Sequence, residues 1–356
     1  MAEFPSDRAN TIHVMRMCEA FAAIGHDVVL YVRDTNNDVD SIFQFYGLTR
    51  TFNIVPLRSE VPKLNRLIFA ALAARRARAD GADLLVSRTA VASFLGARLS
   101  IPVVFDAHGP IWERNFAERV AYRLLKNHPK LACMTANSGA LKGMYEGRRL
   151  APAKGIVLAP NGAAADEVNP AVQLGGRCGV LKVGYTGHLY AGRGVEVIVA
   201  CAAALPECDF HLVGGAGKEL EEWKVRAARP NIHFHGFVKP SLVSSYRAKC
   251  DILLAPYQAT GVTVSGGGGD TSAYMNPIKV MEYISSARAI VASDLPAIRE
   301  VLPDSAAMFA APDRVDEWIN CIVLLKDPRR RLELAEACSS AAMAMTWERR
   351  ASVMLP

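Results

Sequence analysis

Residues 276–300, NPIKVMEYISSARAIVASDLPAIRE, carry the signals of a helix followed by a buried strand. Asn276 is a favoured N-cap residue and Pro277 a favoured first helical residue, so the stretch predicts a helix that begins at residue 277. The i, i+4, i+7 spacing of Val280, Ile284 and Ala287 predicts the face that packs inward. The apolar run AIVAS then predicts a buried strand, and this helix–strand order is typical of an α/β domain.

Lys279 and Glu282 share a second face of this helix, close to its amino-terminal end. Unpaired backbone N–H groups and the helix dipole at such an end favour a bound anion, for example a phosphate. The glycine-rich segment at residues 261–270 allows backbone to approach a ligand closely. Together these features predict a nucleotide site. The alternative for Lys279 and Glu282 is a surface ion pair worth roughly a few tenths of a kcal/mol.

The chain has 356 residues, which is long for one domain and comfortable for two. It is 51% hydrophobic and 21% charged, so we expect a large buried core. Its apolar runs, such as LIFAALAA, reach nine residues at most, against the roughly 20 that span a bilayer. The first ten residues lack the apolar segment of a secretory signal. The eight cysteines form no CxxC pair, which predicts a reduced, cytoplasmic protein without a structural metal.

The positive charge lies in the first half of the chain. Residues 1–165 carry 21 basic and 14 acidic side chains, a net charge of +7, whereas the remainder carries 20 and 21, a net charge of −1. This asymmetry favours an anionic partner for the first half, such as a membrane surface or a phosphorylated acceptor. A solvated basic face with no partner is the alternative. No nucleic-acid-binding motif is present, so we expect no nucleic-acid partner.

Strand and helix patterns alternate along both halves and predict two doubly wound Rossmann-like domains. We predict a first domain at residues 1–168, a second at residues 169–328, and a C-terminal helical segment at residues 329–356 that returns to the first domain. The first half opens on a helical pattern at residues 11–24. We therefore expect its sheet to lack the usual first strand, and the reading frame to continue upstream. Polar residues follow several predicted strands: His108, Asn137, Ser138, Asn161 and Gly162.

Three turns after strands of the second half concentrate groups that bind phosphate. The segment GYTGHLYAGRG, residues 184–194, offers Gly187 for close backbone approach, together with His188 and Arg193. HLVGGAG, residues 211–217, is a second glycine turn, and the start of the 277 helix is the third element. A pyrophosphate between Arg193, Lys279 and the helix end would be well neutralised, and a carboxylate such as Glu282 is a usual partner for ribose hydroxyls.

These motifs resemble the donor domain of the retaining family 4 glycosyltransferases, which have the GT-B fold. The family's Gly-Arg-Leu and Lys-Gly pattern is similar to residues 187–189 and 193–194. Its Gly-Phe-Val is similar to residues 236–238, and its Ser-Pro-x-Lys-x-x-Glu-Tyr to residues 276–283. The closing Trp-Glu-x-Arg-Ala is present at residues 347–351. The first half resembles the acceptor domain at residues 9–28, at the strand-end His108 and at residues 135–142.

The resemblance implies two domains that face a cleft and an enzyme that transfers a sugar with retained configuration, without metal or other cofactor. The co-substrate would be a nucleotide diphosphosugar. Arg193 and Lys279 would stabilise the leaving pyrophosphate, and His108 would lie over the donor sugar. The implied donor-binding positions are Gly187, His188, Arg193, Gly214, Gly236, Val238, Asp270, Pro277, Ile278, Lys279 and Glu282.

The sequence departs from the family pattern at two positions of the donor site. The family has two glutamates eight residues apart, but Tyr274 stands eight residues before Glu282. Asp270 in the glycine-rich segment is our candidate for the role of the absent glutamate. His188 replaces the usual arginine, which leaves Arg193 to carry more of the phosphate binding.

The sequence therefore predicts a metal-independent, retaining glycosyltransferase that acts in the cytoplasm, at the inner face of a membrane, on an envelope or polysaccharide-type acceptor. The acceptor would be a sugar or a lipid-linked sugar. Two alternatives stay open. One is a non-catalytic binding or partner protein of the same fold, which would bind donor without turnover. The other is a nucleotide-sugar epimerase, which would convert donor in the absence of an acceptor.

Overall fold

A computed structural model of the chain describes residues 4–33, 38–57, 65–164, 167–263 and 269–356. The chain divides into two compact units. The first comprises Met1–Gln44, Leu48–Asn161 and Trp347–Pro356, and the second comprises Phe45–Gly47 and Gly162–Thr346. The predicted limits at residues 168 and 328 stay predictions. No helix in the described ranges is long and apolar enough to cross a membrane.

The helices and strands of residues 9–158 alternate. They are α1 (Ala9–Ala23), β1 (Val29–Arg33), α2 (Val39–Tyr46), β2 (Asn53–Leu57), α3 (Asn65–Ala79), β3 (Leu85–Ser87), α4 (Ala90–Arg98), β4 (Val103–Ala107), a 3₁₀ turn (Ile111–Glu113), α5 (Phe116–Leu125), β5 (Leu131–Ala136), α6 (Gly139–Gly147) and β6 (Val157–Leu158).

The strands of the first unit form two separate parallel sheets. One contains β1 and β2, and the other has the strand order β3-β4-β5-β6. β4 is buried along its whole length, whereas the outer strands β1 and β3 expose Val29 and Val86 by 36% and 39%. Among the described residues this unit begins with α1, before any strand, as the sequence predicts.

The second unit contains most of the remaining elements. They are β7 (Lys182–Thr186), α7 (Val195–Ala204), β8 (Asp209–Val213), α8 (Gly217–Arg226), β9 (Ile232–Gly236), α9 (Pro240–Ala248), β10 (Ile252–Ala255), α10 (Ile278–Ser285), β11 (Ala289–Ser293), α11 (Pro296–Arg299), β12 (Met308–Ala310), α12 (Val315–Leu324) and α13 (Pro328–Ala344); α14 (Trp347–Met354) belongs to the first unit.

One parallel sheet of six strands, in the order β12-β11-β10-β7-β8-β9, forms the centre of the second unit. β8, β10 and β11 are buried along their whole length, since helices cover both faces of a doubly wound sheet. The strand order reverses between β7 and β10. Ligands of such sheets bind outside the carboxyl ends of the strands at this point of reversal. The predicted fold class of two doubly wound α/β units is confirmed.

The helix at residue 277 begins one residue later than the sequence predicts. Pro277 is the N-cap residue, with extended backbone angles, and Ile278 is the first helical residue, so the prediction of Asn276 as N-cap is wrong. Proline keeps a fixed φ that suits both positions, so the Asn-Pro pair does not fix the start of the helix to the residue. Val280 and Ile284 are fully buried, as predicted. The prediction of Ala287 on the same face is wrong, because α10 ends at Ser285 and Ala287 follows it with a φ of +49° and is half-buried.

Candidate functional site

Three glycine turns meet at the carboxyl ends of β7, β8 and β9. Gly187, Gly214 and Gly236 have φ values of +136°, +125° and +67°, which side chains rarely allow. The Gly214 N–H donates to the Gly236 carbonyl at 2.8 Å, and the Gly187 N–H donates to the Val213 carbonyl at 2.8 Å. A Cβ added to Gly214 would lie 2.2 Å from the Gly187 oxygen. The turns are therefore packed backbone on backbone, and only glycine fits at Gly214.

Gly187 also makes room for the first turn of α10. A Cβ on Gly187 would lie 2.9 Å from Cε and 3.1 Å from Nζ of Lys279. The neighbouring N–H of Thr186 donates to the Tyr283 hydroxyl at 2.8 Å, which fixes α10 against the end of β7. Sequence spacing predicted that these two segments converge, and the structure brings them into contact.

The ammonium group of Lys279 is buried between two aromatic rings. Its Nζ lies 3.8 Å from the ring centre of Tyr185 and 5.0 Å from that of Tyr257. It has no hydrogen-bond partner among the described residues. Burial, and after it the charge of Arg193, holds the pKa of Lys279 well below its usual value. A buried cation without a counter-ion is costly, so this position is suited to an anion from outside the chain.

Arg193 supplies a second cation near the Tyr257 ring. Its guanidinium carbon lies 5.2 Å from the Tyr257 ring centre, and one terminal nitrogen donates to the Thr263 carbonyl at 2.8 Å. Its Nε has no partner in the described part of the chain. Neither Arg193 nor Lys279 forms an ion pair with a described carboxylate. Together with the backbone N–H groups at the start of α10, they form a site suited to a bound anion.

Glu282 lies one helical turn after Lys279 and is held by a buried arginine. Its Oε2 accepts a hydrogen bond from Arg247 at 3.2 Å, and Arg247 also donates to the Ser286 hydroxyl at 2.9 Å. The Arg247 side chain is 2% exposed, whereas that of Glu282 is 29% exposed. The orientation of the Glu282 carboxylate is thus fixed, but the carboxylate can still accept hydrogen bonds from hydroxyl groups of a ligand. Arg247 was not predicted, because its contact with Glu282 joins residues 35 positions apart.

The other predicted donor-site residues have diverse surroundings. The His188 ring stacks on Tyr190 with ring centres 4.7 Å apart, and its carbonyl accepts from the Tyr185 hydroxyl at 2.6 Å. Val238 is half-buried two residues after Gly236. Pro277 and Ile278 lie at the start of α10. These positions stay predictions of donor contact.

Asp270 caps a turn beside the glycine-rich segment. Its carboxylate accepts hydrogen bonds from the N–H groups of Gly261, Val262 and Ser272, at 2.7, 3.0 and 2.9 Å. These bonds give the side chain a local structural role. Residues 264–268, half of the glycine-rich segment at residues 261–270, lie outside the described residues. The candidacy of Asp270 for the role of the absent glutamate stays a prediction.

In the first unit, Asp106 is the centre of a buried hydrogen-bonded cluster. Arg350 on α14 donates to both of its carboxylate oxygens, at 2.9 and 3.1 Å. The Thr135 hydroxyl donates to Oδ1 at 2.7 Å, and His108 Nε2 lies 2.8 Å from Oδ2. Burial alone would raise the pKa of Asp106, but Arg350 and His108 outweigh it and hold that pKa well below its usual value.

The two ring nitrogens of His108 both have partners. Nε2 donates to Asp106, so Nδ1 accepts from the Asn137 side-chain amide at 3.2 Å. Burial, and after it the charge of Arg88, lowers the pKa of His108 to about 4. The imidazole is therefore neutral at pH 7. His13 packs against it with ring centres 4.4 Å apart. Asp106, Arg350 and His13 had not been predicted as a cluster with His108.

The polar residues after β5 support this cluster. The Ser138 hydroxyl accepts from the Leu141 N–H at 3.1 Å, so Ser138 caps α6. Asn137 is 6% exposed and orients His108. Trp347 is buried and meets the His13 ring edge-on with centres 5.4 Å apart, which agrees with a packing role.

Two protein families match the chain. The sequence model of Glycosyltransferase Family 4 matches residues 11–167, and that of Glycosyl transferases group 1 matches residues 181–327. No curated protein matches the chain.

Solved structures match nearly the whole chain. Sucrose-phosphate synthase from Thermosynechococcus elongatus is 18% identical, with a TM-score of 0.71 over 97% of this chain and 91% of that one. HepE of Anabaena, in complex with UDP-glucose, is 15% identical, with a TM-score of 0.72 over 99% and 96%. WaaG, a glycosyltransferase involved in lipopolysaccharide biosynthesis, is 14% identical, with a TM-score of 0.66 over 99% and 96%. These similarities establish the GT-B fold.

Proposed function

The chain belongs to the glycosyltransferases, with a family 4 domain followed by a group 1 domain, and from this premise we propose that its donor is a nucleotide diphosphosugar. The sugar would be transferred with retention of configuration, the mode of the family 4 enzymes that the sequence resembles. The acceptor would be a sugar or lipid-linked sugar of the cell envelope or of a polysaccharide.

The observation that carries this proposal is the pair of cations at the carboxyl ends of β7 and β10. Among the described residues, the buried Lys279 ammonium has no hydrogen-bond partner and only the charge of nearby Glu282 to offset it, and the Nε of Arg193 has no partner either. As the bond between the sugar and the phosphate breaks, negative charge grows on the leaving diphosphate. Fixed cations and helix N–H groups stabilise such charge. Because these cations and N–H groups stabilise the leaving diphosphate from within the protein, we propose that transfer needs no metal ion at the diphosphate.

The groups around the cations suit the rest of the nucleotide. Glu282 is held by Arg247 and keeps part of its carboxylate exposed, which fits acceptance of hydrogen bonds from the ribose hydroxyls. The packed turns at Gly214 and Gly236 bring backbone close to the strand ends, where we place the base. The similar structure of HepE in complex with UDP-glucose supports a nucleotide sugar as donor.

His108 is our candidate for contact with the transferred sugar. Its pKa is lowered to about 4, chiefly by burial, so the ring is neutral and acts by hydrogen bonding rather than by charge. Asp106 and Asn137 fix its orientation. The basic first half and the similarity to WaaG support an envelope acceptor, at the cytoplasmic face of a membrane.

A thermal-shift screen with UDP-, GDP-, ADP- and dTDP-sugars tests the donor. A ligand at ~100 times its dissociation constant adds about 2.7 kcal/mol to the free energy of unfolding. We expect one nucleotide class to raise the melting temperature. Arg193→Ala and Glu282→Ala should each weaken its binding by ~1.5–3 kcal/mol, the range for charge-assisted hydrogen bonds. Arg229→Ala, an exposed arginine of the same unit, is the matched control. Unchanged affinity in both variants would refute the assignment.

A second function, a non-catalytic partner protein, is favoured by one feature. Both ring nitrogens of His108 and the carboxylate of Asp270 are engaged within the chain. Such a protein would bind donor in the same screen but would neither transfer the sugar to an acceptor nor hydrolyse the donor. An epimerase would convert the donor alone, which chromatography of the recovered nucleotide sugar detects.

A further inference from the structure

Four ligand-type side chains alternate along the adjacent strands β8 and β9. Asp209 and His211 lie two residues apart on β8, and His233 and His235 lie two apart on β9. Successive side chains of a strand point to opposite faces, so each pair shares a face. The register places His211 directly beside His233. The parallel pairing thus gathers one carboxylate and three imidazoles on one face of the sheet.

The ligand atoms of three of these residues converge. Asp209, His211 and His233 each place one oxygen or nitrogen so that all three lie within 4.8 Å of one another. Oδ2 of Asp209 is 3.6 Å from Nε2 of His233. Nε2 of His211 and Nε2 of His233 are buried, and neither has a hydrogen-bond partner among the described residues. His211 itself is fully buried. Buried imidazole nitrogens without partners indicate a group that the chain does not supply.

The other ring nitrogen of His211, Nδ1, has a partner within the chain, as is common for histidines that bind a metal. Its Nδ1 lies 3.1 Å from Nε2 of His235, which fixes the orientation of the ring and leaves Nε2 directed at the cluster. Histidines that bind metals are commonly oriented by such a bond at the other ring nitrogen.

Gly176 leaves open the space that these atoms surround. Its φ is +81°, and a Cβ placed on it would lie 2.6 Å from Oδ2 of Asp209, 3.2 Å from Nε2 of His233 and 3.4 Å from Cε1 of His211. Any side chain at this position would fill the space. The backbone N–H of Arg177 donates to Oδ2 at 2.7 Å, and its guanidinium binds Oδ1 at 2.6 and 2.9 Å. These bonds fix the orientation of the Asp209 carboxylate, and Oδ2 keeps one lone pair that can bind a cation.

We propose that Asp209 Oδ2, His211 Nε2 and His233 Nε2 bind one first-row divalent cation, zinc foremost, with His235 as the residue that orients His211. Two imidazoles and one carboxylate are a usual zinc donor set, and water would complete a tetrahedral site. Tetrahedral bonds of about 2.0–2.2 Å place ligand atoms about 3.4 Å apart. Ligand atoms that lie up to 4.8 Å apart here would therefore have to approach one another by as much as about 1.4 Å when the ion binds. The absence of CxxC pairs predicted no structural metal, but that prediction considered cysteine alone.

The cation would be structural and separate from sugar transfer. Asp209 begins β8, whereas the glycine turn that we assign to the donor follows the end of the same strand. The three ligand residues lie three to five residues before the glycine turns at Gly214 and Gly236, which at about 3.3 Å per residue is roughly 10–16 Å. The ion would join β8, β9 and the segment at Gly176.

A comparable group in the first unit is a poor metal site by contrast. His13, Asp106 and His108 also place ligand atoms within 4.8 Å of one another. There, however, both Asp106 oxygens already accept from Arg350, and Thr135 and His108 occupy the remaining directions. A cation would have to displace the guanidinium.

Metal titration of the whole chain tests the proposal. The protein is stripped with a chelator and titrated with Zn²⁺ in competition with a chromophoric indicator, and with Co²⁺, whose visible absorption reports a tetrahedral site. We expect one tight equivalent. His235→Ala should weaken Zn²⁺ binding about 10–100-fold, the usual effect of losing an orienting partner, and His233→Ala should weaken it further.

Controls separate this cluster from other histidines. His26→Ala removes an exposed histidine, and His13→Ala removes one member of the comparable group in the first unit. Both variants should still bind one equivalent of Zn²⁺. His233→Gln, which is close in shape to the parent, serves if the alanine variant does not fold. A parent that binds no Zn²⁺, or a His233→Ala or His233→Gln variant that binds it as tightly as the parent, overturns the proposal.

Discussion

Two buried clusters of charged side chains, one in each unit, differ in how completely their members pair. In the first unit, the Asp106 carboxylate accepts hydrogen bonds from Arg350, Thr135 and His108. In the second unit, the Lys279 ammonium and the Nε of Arg193 have no partner among the described residues. Both clusters contain polar groups that cannot reach water, and both ring nitrogens of His13 in the first also have no hydrogen-bond partner among the described residues. Among these residues, however, the first cluster pairs its buried carboxylate with a buried guanidinium, whereas the two cations of the second form no such pair.

The difference separates a stabilising role from a binding role. Removing one member of a completed buried pair leaves its partner as an isolated charge, which destabilises the fold strongly. Removing a member of an incomplete cluster relieves repulsion and desolvation instead, so the ligand-free protein gains stability while affinity for the missing anion falls. The same kind of substitution should therefore lower the free energy of unfolding in the first cluster and raise that of the ligand-free protein in the second, which distinguishes the clusters.

The largest effect is expected for Asp106→Asn. The change removes the charge that balances Arg350, whose side chain is 1% exposed, and should lower the free energy of unfolding by about 3–5 kcal/mol. Denaturant unfolding measures it. Asp40→Asn is the matched control, because the Asp40–Arg50 pair is more than half exposed and should change stability by about 1 kcal/mol or less.

A double variant sharpens this result. Arg350→Met in the Asp106→Asn background removes the isolated charge and should recover part of the lost stability, because buried pairs are often replaceable by apolar residues of similar volume. If Asp106→Asn unfolds at the same denaturant concentration as the parent, the completed cluster does not stabilise the first unit.

Lys279→Met should show the opposite signature. Methionine keeps the length of the side chain between Tyr185 and Tyr257 but removes the buried charge, so the ligand-free protein should unfold at a higher temperature. Affinity for the nucleotide sugar should fall by about 1.5–3 kcal/mol, the range for hydrogen bonds to charged groups. Calorimetry and titration measure the two quantities. Lys249→Met, at an exposed lysine of the same unit, should change neither, and a destabilised Lys279→Met protein would contradict the assignment.

His108→Ala tests whether the completed cluster also acts on the substrate. The variant should bind nucleotide within about twofold of the parent, since the diphosphate site lies in the second unit. Turnover should fall about two- to tenfold, the equivalent of the about 0.5–1.5 kcal/mol of one neutral hydrogen bond. Steady-state rates with the donor identified by the ligand screen measure it, with His128→Ala as control. Unchanged turnover would restrict His108 to a structural role.

The sequence predicted the elements whose signals are local. The doubly wound α/β class was correctly predicted because strand and helix patterns alternate along both halves of the sequence. Spacing alone placed Lys279 and Glu282 on one face of a helix. The Asn-Pro pair located the start of that helix only to within a residue, since proline fits both positions.

Contacts between distant segments could not be predicted from the sequence. Asp106 and Arg350 lie 244 positions apart, and no local pattern connects them. An aspartate inside the apolar run VVFDA was a usable signal, because a buried carboxylate requires cationic or hydrogen-bonding partners. The alternation of Asp209, His211, His233 and His235 was also visible, but its meaning depends on the pairing of β8 with β9.

The smallest expected effect is a coupling between donor binding and proton uptake. Burial, and after it the charge of Arg193, lowers the pKa of Lys279, so part of the ligand-free protein loses this proton below the usual lysine value of about 10.4. A bound diphosphate is a double negative charge beside the ammonium and raises that pKa again.

Donor binding should therefore take up a fraction of one proton at alkaline pH, and affinity should weaken as the pH rises through the pKa of the ligand-free protein. Titration calorimetry at one alkaline pH, in two buffers with different ionisation enthalpies, measures the uptake. Because Lys279→Met has no proton to gain, its binding enthalpy should not depend on the buffer. If the parent shows equal enthalpies in both buffers while its affinity still falls with pH, the fall arises from another group, and the unpaired cation at Lys279 is not the one that the donor completes.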